Sequence, residues 1–355
     1  MLIKSIYYVE LYVGNSFQAS QFYRSVMGFS PVAYLGPEGG VKDRASYLVQ
    51  RGQIRLLLTS PVTTNSDVNG FLRTHGEGVH DIAFEVENTR QALAECLDRN
   101  ASCVREPWEV EDADGKAVLA QIGAFGDTIH SFVQRTNFSG AFLPGYRPLA
   151  SLPVTDTGLT EIDHFAISVD KGTAESWVQH YDRVFGFHTS REEDIATEYS
   201  AMFSKVTESP DRRAVFVFVE PATGRRKSPI AEYLDYYGGS GVHHVALLTK
   251  DIIDSVRSLG REGVRFTQTP RTYYDALPGR VGQIAQSLNE LSELGILVDR
   301  DPDGYLMQIF TQPMQSRPTL SFELIQREGA LGFGSGNIKA LFEAIERAQF
   351  ERGNA

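Results

Sequence analysis

The segment IDHFAISV (residues 162–169), followed by HYDRVFGF (residues 180–187), decides the fold of this chain because its pattern occurs twice. The N-terminal half carries IYYVELYV (residues 6–13) followed by FYRSVMGF (residues 22–29). Both pairs are typical of a β-strand, then a helix that stops at Gly-Phe, then another strand. The sequence therefore predicts one β-rich unit that is present in two copies.

Two further pairs of segments extend this repeat. GVHDIAF (residues 78–84) echoes GVHHVAL (residues 241–247), and IHSFVQR (residues 129–135) echoes LSFELIQR (residues 320–327). The first of these pairs is followed in both halves by a segment of helical period, residues 89–99 and 252–262. Residues 137–159 contain Gly, Pro and Ser and are the predicted linker. We expect an N-terminal domain of residues 1–150 and a C-terminal domain of residues 151–355.

Composition and charge limit the possible functions. Of the 355 residues, 42% are hydrophobic and 22% are charged, which is typical of a soluble globular protein. The net charge of −11 argues against nucleic acid or an anionic membrane surface as the partner. No apolar run is long enough for a bilayer, and the N-terminus lacks the pattern of a signal peptide. The spacing of Cys96 and Cys103 fits neither a disulfide framework nor a thiolate metal site, so we expect a cytoplasmic protein.

Alignment of the two copies isolates the candidate chemistry. Three equivalent strand positions hold Tyr8, Asp81 and Ser131 in the first copy, and His164, His244 and Glu323 in the second. Two imidazoles and one carboxylate favour Fe(II) and leave coordination positions open on one face. Glu323 lies in an apolar stretch, where a buried carboxylate needs a cation. We therefore predict a metal site in the second copy and a scaffold role for the first.

The residues alone leave alternatives open. A single histidine on a strand is more often a hydrogen-bonded core residue than a metal ligand. Spacings of 80 and 79 residues between the three side chains form no local motif. A Zn(II) site or a lyase of the same architecture is also compatible with this donor set. For His243, strand alternation predicts a side chain opposite to that of His244, unless a β-bulge intervenes.

The sequence around these positions resembles the family of 4-hydroxyphenylpyruvate dioxygenase and 4-hydroxymandelate synthase. The resemblance covers nearly the whole chain and is densest after residue 158. It is carried by GLTEIDH (158–164), TEYSA (197–201), YYD (273–275), ILVDRD (296–301), GYLMQIF (304–310), RPTLSFE (317–323) and GFGSGNIKALFEAIE (332–346). It implies an α+β fold of two vicinal-oxygen-chelate domains, in which paired βαβββ modules form open barrels. Iron is then expected only in the C-terminal domain.

The resemblance also implies an activity. An Fe(II) dioxygenase of this family binds a 2-oxo acid and O2, releases CO2 and hydroxylates the substrate without external 2-oxoglutarate. Hydroxylation of the ring of 4-hydroxyphenylpyruvate produces homogentisate, whereas hydroxylation of the benzylic carbon produces 4-hydroxymandelate. A dioxygenase of a different 2-oxo acid is a further alternative, and a non-catalytic binding protein is the least favoured. The family also suggests a homodimer or homotetramer.

Individual pocket residues follow from the same resemblance. Three polar residues match positions that contact or orient substrate, namely Ser204, Gln308 and Asn337. Phe310 and Phe333 match aromatic walls, although ordinary packing explains them equally well. Residues 337–350 form a predicted amphipathic helix that closes over the pocket.

Other pocket positions depart from the family pattern. Two family Gln residues are replaced by His243 and Ala231, a Pro and an Asn by Val217 and Val219, and two Phe residues by Ser321 and Ile338. A site that hydrogen-bonds a hydroxyl discriminates through its polar groups, so their loss can change the preferred substrate. Val217, Val219 and Ile338 favour the mandelate-forming branch, whereas the C-terminal stretches RPTL and FEAIE favour the homogentisate branch.

Overall fold

The computed structural model describes residues 3–197, 201–340, 350 and 353. The N-terminal half contains the strands β1 (Ile3–Tyr12), β2 (Ser30–Leu35), β3 (Arg44–Arg51), β4 (Ile54–Pro61), β5 (Gly78–Val86), β6 (Cys103–Asp112), β7 (Gly115–Gly123), β8 (Ile129–Thr136) and β9 (Arg147–Pro148). Its α-helices are α1 (Ser16–Ser25), α2 (Asp67–His75) and α3 (Thr89–Asp98).

The C-terminal half follows the same element order with additional short helices. Its strands are β10 (Leu159–Ser168), β11 (His188–Ala196), β12 (Ala201–Glu208), β13 (Val215–Ala222), β14 (Gly241–Thr249), β15 (Leu297–Asp301), β16 (Gly304–Phe310) and β17 (Ser321–Glu328). Its α-helices are α4 (Ala174–Phe185), α5 (Pro229–Tyr237), α6 (Ile252–Arg261), α7 (Arg271–Asp275), α8 (Leu277–Val281) and α9 (Leu288–Leu294).

Strand order confirms the repeat. The N-terminal sheet has the order β6-β7-β8-β5-β1-β4-β3-β2, with β9 added at its edge, and the C-terminal sheet has the order β15-β16-β17-β14-β10-β13-β12-β11. Each of β1 to β8 thus has one counterpart at the same place in the second sheet, and β9 is the additional strand of the first. The predicted α+β fold of two open, curved sheets is confirmed. Part of the predicted linker joins the first sheet, because Pro148 in β9 pairs with Ala33 in β2.

Local signals explain the helix limits. Asn88 precedes α3 and accepts a hydrogen bond from the backbone N–H of Gln91, and Asp251 caps α6 in the same way through Asp254. α4 ends at Gly186, whose φ of 73° lies in the left-handed region that favours glycine. The helices predicted from the periodicity of residues 89–99 and 252–262 are therefore confirmed.

Side-chain alternation divides each central strand between two environments. On β10, Phe165 and Ile167 point into a large hydrophobic core, whereas His164 and Ala166 line an internal cavity. The core contains residues of both halves, and burial of each large apolar side chain contributes roughly 1.5–3 kcal/mol. One polar contact crosses it: His130 Nε2 lies 2.6 Å from the Tyr181 hydroxyl. The cavity face is therefore free for function while the opposite face stabilises the fold.

Both central strand pairs contain an irregularity at the same place. Ala166 pairs with His244 and the next residue, Ile167, pairs with Val242, so His243 is an extra residue on β14. His80 is the extra residue at the equivalent point of β5. None of the helices in the described part of the chain combines the length and apolar character needed to cross a membrane. Of the predicted lid helix, residues 341–349 lie outside the described residues.

Candidate metal centre

Three neighbouring strands bring the predicted ligands together. His164 lies on β10, His244 on β14 and Glu323 on β17, and these strands are adjacent in the sheet. Ala246 of β14 pairs with both His164 and Glu323, and His244 is two residues away on the same face. Glu323 Oε2 lies 3.2 Å from His164 Nε2 and 3.3 Å from His244 Nε2. One ligand atom from each residue falls within 4.8 Å of the others, as a shared metal ion requires.

The charge balance of this cluster favours a bound cation. Glu323 is 2% exposed, and its Oε1 atom has no hydrogen-bond partner among the described residues. Burial opposes the charged form of His164, but the carboxylates of Glu323 and Asp163 outweigh it and raise the pKa of His164 to about 9. Burial lowers the pKa of His244. The cluster thus attracts positive charge and offers an unused oxygen, which fits a divalent metal.

His164 has a charged partner on its other side. Its Nδ1 atom lies 2.7 Å from Asp163 Oδ1. Arg327 donates from Nε and Nη2 to the two oxygens of the Asp163 carboxylate, both at 2.7 Å. Burial alone would raise the pKa of Asp163, but the hydrogen bonds from Arg327 and His164 hold it well below its usual range. In the neutral, metal-binding form of His164, Nδ1 therefore carries the proton and Nε2 offers its lone pair to a metal.

His243 occupies a different position from the one that strand alternation predicts. Its Nδ1 atom lies 3.0 Å from Nδ1 of His244, and its side chain lines the same cavity as His164 and Glu323. The expectation of an opposite face is wrong because the bulge at His243 breaks the alternation. His243 is nevertheless absent from the cluster of potential ligand atoms in the described residues.

An apolar cavity adjoins the cluster. Its wall includes eight of the predicted pocket residues: Ser204, Val217, Val219, His243, Gln308, Phe310, Phe333 and Ile338. The ring of Phe333 meets His164 edge-on, with centroids 5.0 Å apart, and Phe310 meets His244 at 5.3 Å. These two rings shield the imidazoles from solvent.

Three predicted residues lie outside this cavity wall. Ala231 lies in the first turn of α5, where its N–H binds Ser228, and Ser321 pairs with His244 across the sheet. Asn337 is fully buried behind Gln308, and its Nδ2 atom donates to Gln308 Oε1 at 3.4 Å. Neighbouring apolar side chains line the cavity instead: Ala166, Met202, Pro229 and Ile230.

The sequence reasoning missed the partners of His164. Asp163 directly precedes the ligand and Arg327 follows Glu323 by four residues, so both stood within the repeated segments. The available signals were a charged residue within the strand β10, directly before the ligand, and an arginine at the same position of β17 as Arg135 in β8. Their pairing depends on contact between β10 and β17 side chains, which are 164 residues apart in the chain.

Known proteins of the same architecture match this chain over nearly its full length. The profile of the Glyoxalase/Bleomycin resistance protein/Dioxygenase superfamily matches residues 5–128 and 161–309. The chain is 40% identical to 4-hydroxyphenylpyruvate dioxygenase of Yarrowia lipolytica, over 98% of this chain and 92% of that protein. It is also 40% identical to the Dictyostelium discoideum protein of the same name, over 98% of each. A mutant 4-hydroxymandelate synthase from Streptomyces coelicolor superposes with a TM-score of 0.90 at 35% identity, covering 98% of this chain and 100% of that one.

Proposed function

This chain belongs to the family of 4-hydroxyphenylpyruvate dioxygenase and 4-hydroxymandelate synthase, and we propose from that premise that it is an Fe(II)-dependent dioxygenase that decarboxylates 4-hydroxyphenylpyruvate. The cluster of His164, His244 and Glu323 carries the proposal, because one oxygen of its buried carboxylate has no hydrogen-bond partner within the described part of the chain. Two imidazoles and one carboxylate are the donor set of Fe(II) oxygenases. When bound, Fe(II) would supply Lewis acidity towards the 2-oxo acid and redox chemistry towards O2.

The composition of the cavity supports a 2-oxo acid as the substrate. Among the described residues its wall contains no Lys or Arg, so no ammonium or guanidinium group pairs with a substrate carboxylate there, and its three histidines are the candidate ligands His164 and His244 and their neighbour His243. A bound divalent metal would supply that charge. The remainder of the wall is largely apolar and suits an aromatic body. The anionic end of the substrate would therefore face the metal, and its ring would lie among the apolar side chains.

Gln308 is the proposed polar contact for the substrate. Arg280 has only donors and lies 3.1 Å from Asn337 Oδ1, so Asn337 turns its amide nitrogen towards Gln308. Gln308 consequently accepts through Oε1, and its Nε2 hydrogens are left to donate to a substrate oxygen. Ser204 offers a hydroxyl in the same wall, while Phe333 helps to exclude water.

Two hydroxylation outcomes remain for the same substrate. The curated relatives favour ring hydroxylation to homogentisate. The aliphatic wall of Val217, Val219 and Ile338 and the structural likeness to 4-hydroxymandelate synthase favour benzylic hydroxylation as the second candidate. In both reactions the substrate gains the two atoms of O2 and loses CO2. The products are isomers and must be separated before mass analysis.

Oxygen uptake with product identification tests the proposal. The protein is purified anaerobically, loaded with Fe(II) and supplied with a panel of 2-oxo acids; protein treated with a chelator is the control. We expect O2 uptake with 4-hydroxyphenylpyruvate that requires the metal. Uptake with another 2-oxo acid alone would replace the substrate assignment, and no uptake with any of them would contradict the dioxygenase reading.

Several further assignments stay predictions of this proposal. The N-terminal domain of residues 1–150 would serve as scaffold and residues 151–355 as the catalytic domain. A cytoplasmic location and a homodimer or homotetramer are expected from the family.

A further inference from the structure

The two imidazoles of the candidate metal centre have unequal partners. His244 Nδ1 faces another imidazole, that of His243, at 3.0 Å. His164 Nδ1 faces the carboxylate of Asp163 at 2.7 Å. A carboxylate partner fixes the tautomer of a ligand histidine and increases the basicity of its free nitrogen. His164 is therefore the more strongly oriented of the two.

Asp163 is itself held by a two-point contact. Arg327 donates from Nε and Nη2 to the two carboxylate oxygens, and the side chains of this pair are only 12% and 16% exposed. This fork geometry is specific to arginine and fixes the plane of the carboxylate. The orientation of His164 thus depends on a residue of β17, the strand that also carries Glu323.

The remaining donors of Arg327 reach the cavity wall. Its Nη1 atom donates to the carbonyl oxygens of Ala330 at 3.1 Å and Gly332 at 2.6 Å. The guanidinium also lies 5.5 Å from the ring centroid of Phe333, the residue that follows. One side chain therefore contacts both the partner of His164 and the loop that places Phe333 against the His164 ring.

The N-terminal half provides an internal control. Tyr7 and Arg135 occupy the positions equivalent to Asp163 and Arg327. Arg135 lies over the Tyr7 ring at 5.0 Å and its Nη2 atom lies 3.6 Å from Glu85 Oε1, while its buried Nε atom has no hydrogen-bond partner among the described residues. The arginine position is thus common to both halves, whereas the carboxylate directly before the first cluster residue is present as Asp163 in the C-terminal half and replaced by Tyr7 in the N-terminal half.

We propose that Asp163 and Arg327 form a positioning pair that holds His164 in its metal-binding tautomer and couples it to the Phe333 wall. The inference rests on the proposed function, since it assumes a metal at the cluster. Neither residue lines the cavity beside the cluster, so both act through His164 and Phe333. In Asp163→Asn the fork is lost, because the amide nitrogen faces guanidinium donors.

Metal affinity measured without substrate or O2 tests the pair. The full chain is titrated anaerobically with Fe(II) against a competing chelator, and separately with Co(II) while its visible absorption is followed. We expect Asp163→Asn to weaken metal binding about 10–100-fold and to alter the Co(II) spectrum. Arg327→Lys should weaken it less, but should raise KM for the 2-oxo acid because the loop before Phe333 loses two hydrogen bonds.

A matched variant separates this role from simple stability. Arg135→Lys removes the equivalent guanidinium and should leave the metal affinity unchanged, with circular dichroism reporting the folded fraction of each variant. Equal metal affinities of folded wild type and Asp163→Asn would overturn the positioning role. A wild type that binds metal but consumes no O2 would overturn the proposed function and leave this test intact.

Discussion

The two halves of the molecule each bury a polar cluster at the same three strand positions, but the side chains of the two clusters differ in chemistry. In the N-terminal half, Asp81 accepts hydrogen bonds from the Tyr8 hydroxyl at 2.9 Å and from the Ser131 hydroxyl and N–H at 2.5 and 2.9 Å. In the C-terminal half, the equivalent positions place a carboxylate between two imidazoles, and Glu323 Oε1 has no hydrogen-bond partner in the residues that the structure describes. In the first cluster, hydrogen bonds from within the chain satisfy the buried carboxylate, whereas in the second the carboxylate needs a cation.

This difference shows that a duplicated fold can keep its backbone arrangement while the side chains of one buried site change. Both sheets have the same strand order and the same bulge, and an arginine occupies the same position of β8 and of β17. The backbone therefore does not distinguish a metal centre from a structural cluster. The side chains at three equivalent strand positions distinguish them, because these side chains determine whether the buried carboxylate is balanced by hydrogen bonds or by a metal.

Removal of the Glu323 carboxylate should have the largest effect on activity. If it had no effect, the contrast between a metal centre in one half and a structural cluster in the other would be wrong. We expect Glu323→Ala to lose iron and to lower kcat/KM at least about 1,000-fold, since the cluster loses its one anionic ligand. Iron content by elemental analysis and O2 uptake measure this. Ser131→Ala, at the equivalent position, should keep both values; full iron retention in Glu323→Ala would refute its role.

Removal of the Asp81 carboxylate in the N-terminal half should lower the stability of the fold without changing metal binding. Asp81→Ala leaves the hydroxyls of Tyr8 and Ser131 and one backbone N–H without their acceptor in a buried site. We expect the free energy of unfolding to fall by about 2–4 kcal/mol, measured by urea denaturation. The iron content of the folded protein should stay at the wild-type level. A metal loss as large as that in Glu323→Ala would mean that the two clusters are not independent.

A pH experiment sharpens the contrast in charge balance. Burial and the neighbouring Asp81 raise the pKa of Glu10 to about 7, whereas Ala166 occupies the equivalent strand position. Because the folded-state pKa exceeds the unfolded value, the native state binds more protons, and stability falls as pH rises from about 4.5 to 7.

Glu10→Gln should remove this dependence. We expect the variant to gain about 1–3 kcal/mol over the wild type at pH 8 and to match it near pH 4. Parallel urea curves at the two pH values measure the gain. A stability difference that does not change with pH would show that the pKa of Glu10 is the same in the folded and unfolded states.

The smallest effect is expected at the paired bulges. His243→Gln keeps an acceptor for His244 Nδ1 and should retain iron, but it changes a residue of the cavity wall. We expect KM for the 2-oxo acid to change roughly 3–10-fold, within the range for one altered pocket contact. His80→Gln, at the bulge of the other half, should leave KM unchanged. Equal KM shifts in both variants would indicate an indirect, structural effect.

The sequence by itself determined the repeat and the identity of the special positions. Alignment of the paired segments identified His164, His244 and Glu323 as the strand positions equivalent to Tyr8, Asp81 and Ser131, and the structure brings the three candidate ligands within 4.8 Å. Tyr8, Asp81 and Ser131 were identified in the same way, and they too are in contact. These features follow from local periodicity, which is encoded residue by residue.

Tertiary structure alone decided the surroundings of the cluster. The bulge that turns His243 towards the cavity depends on pairing between β10 and β14, and the ion pair of Asp163 and Arg327 joins residues 164 positions apart. The position of Asn337 behind Gln308, instead of in the cavity wall, likewise depends on a contact between residues that are distant in the chain. Such contacts depend on sheet register and curvature, which arise only when distant segments pack together. The repeat together with the family resemblance could therefore indicate the metal positions but not the residues that orient them.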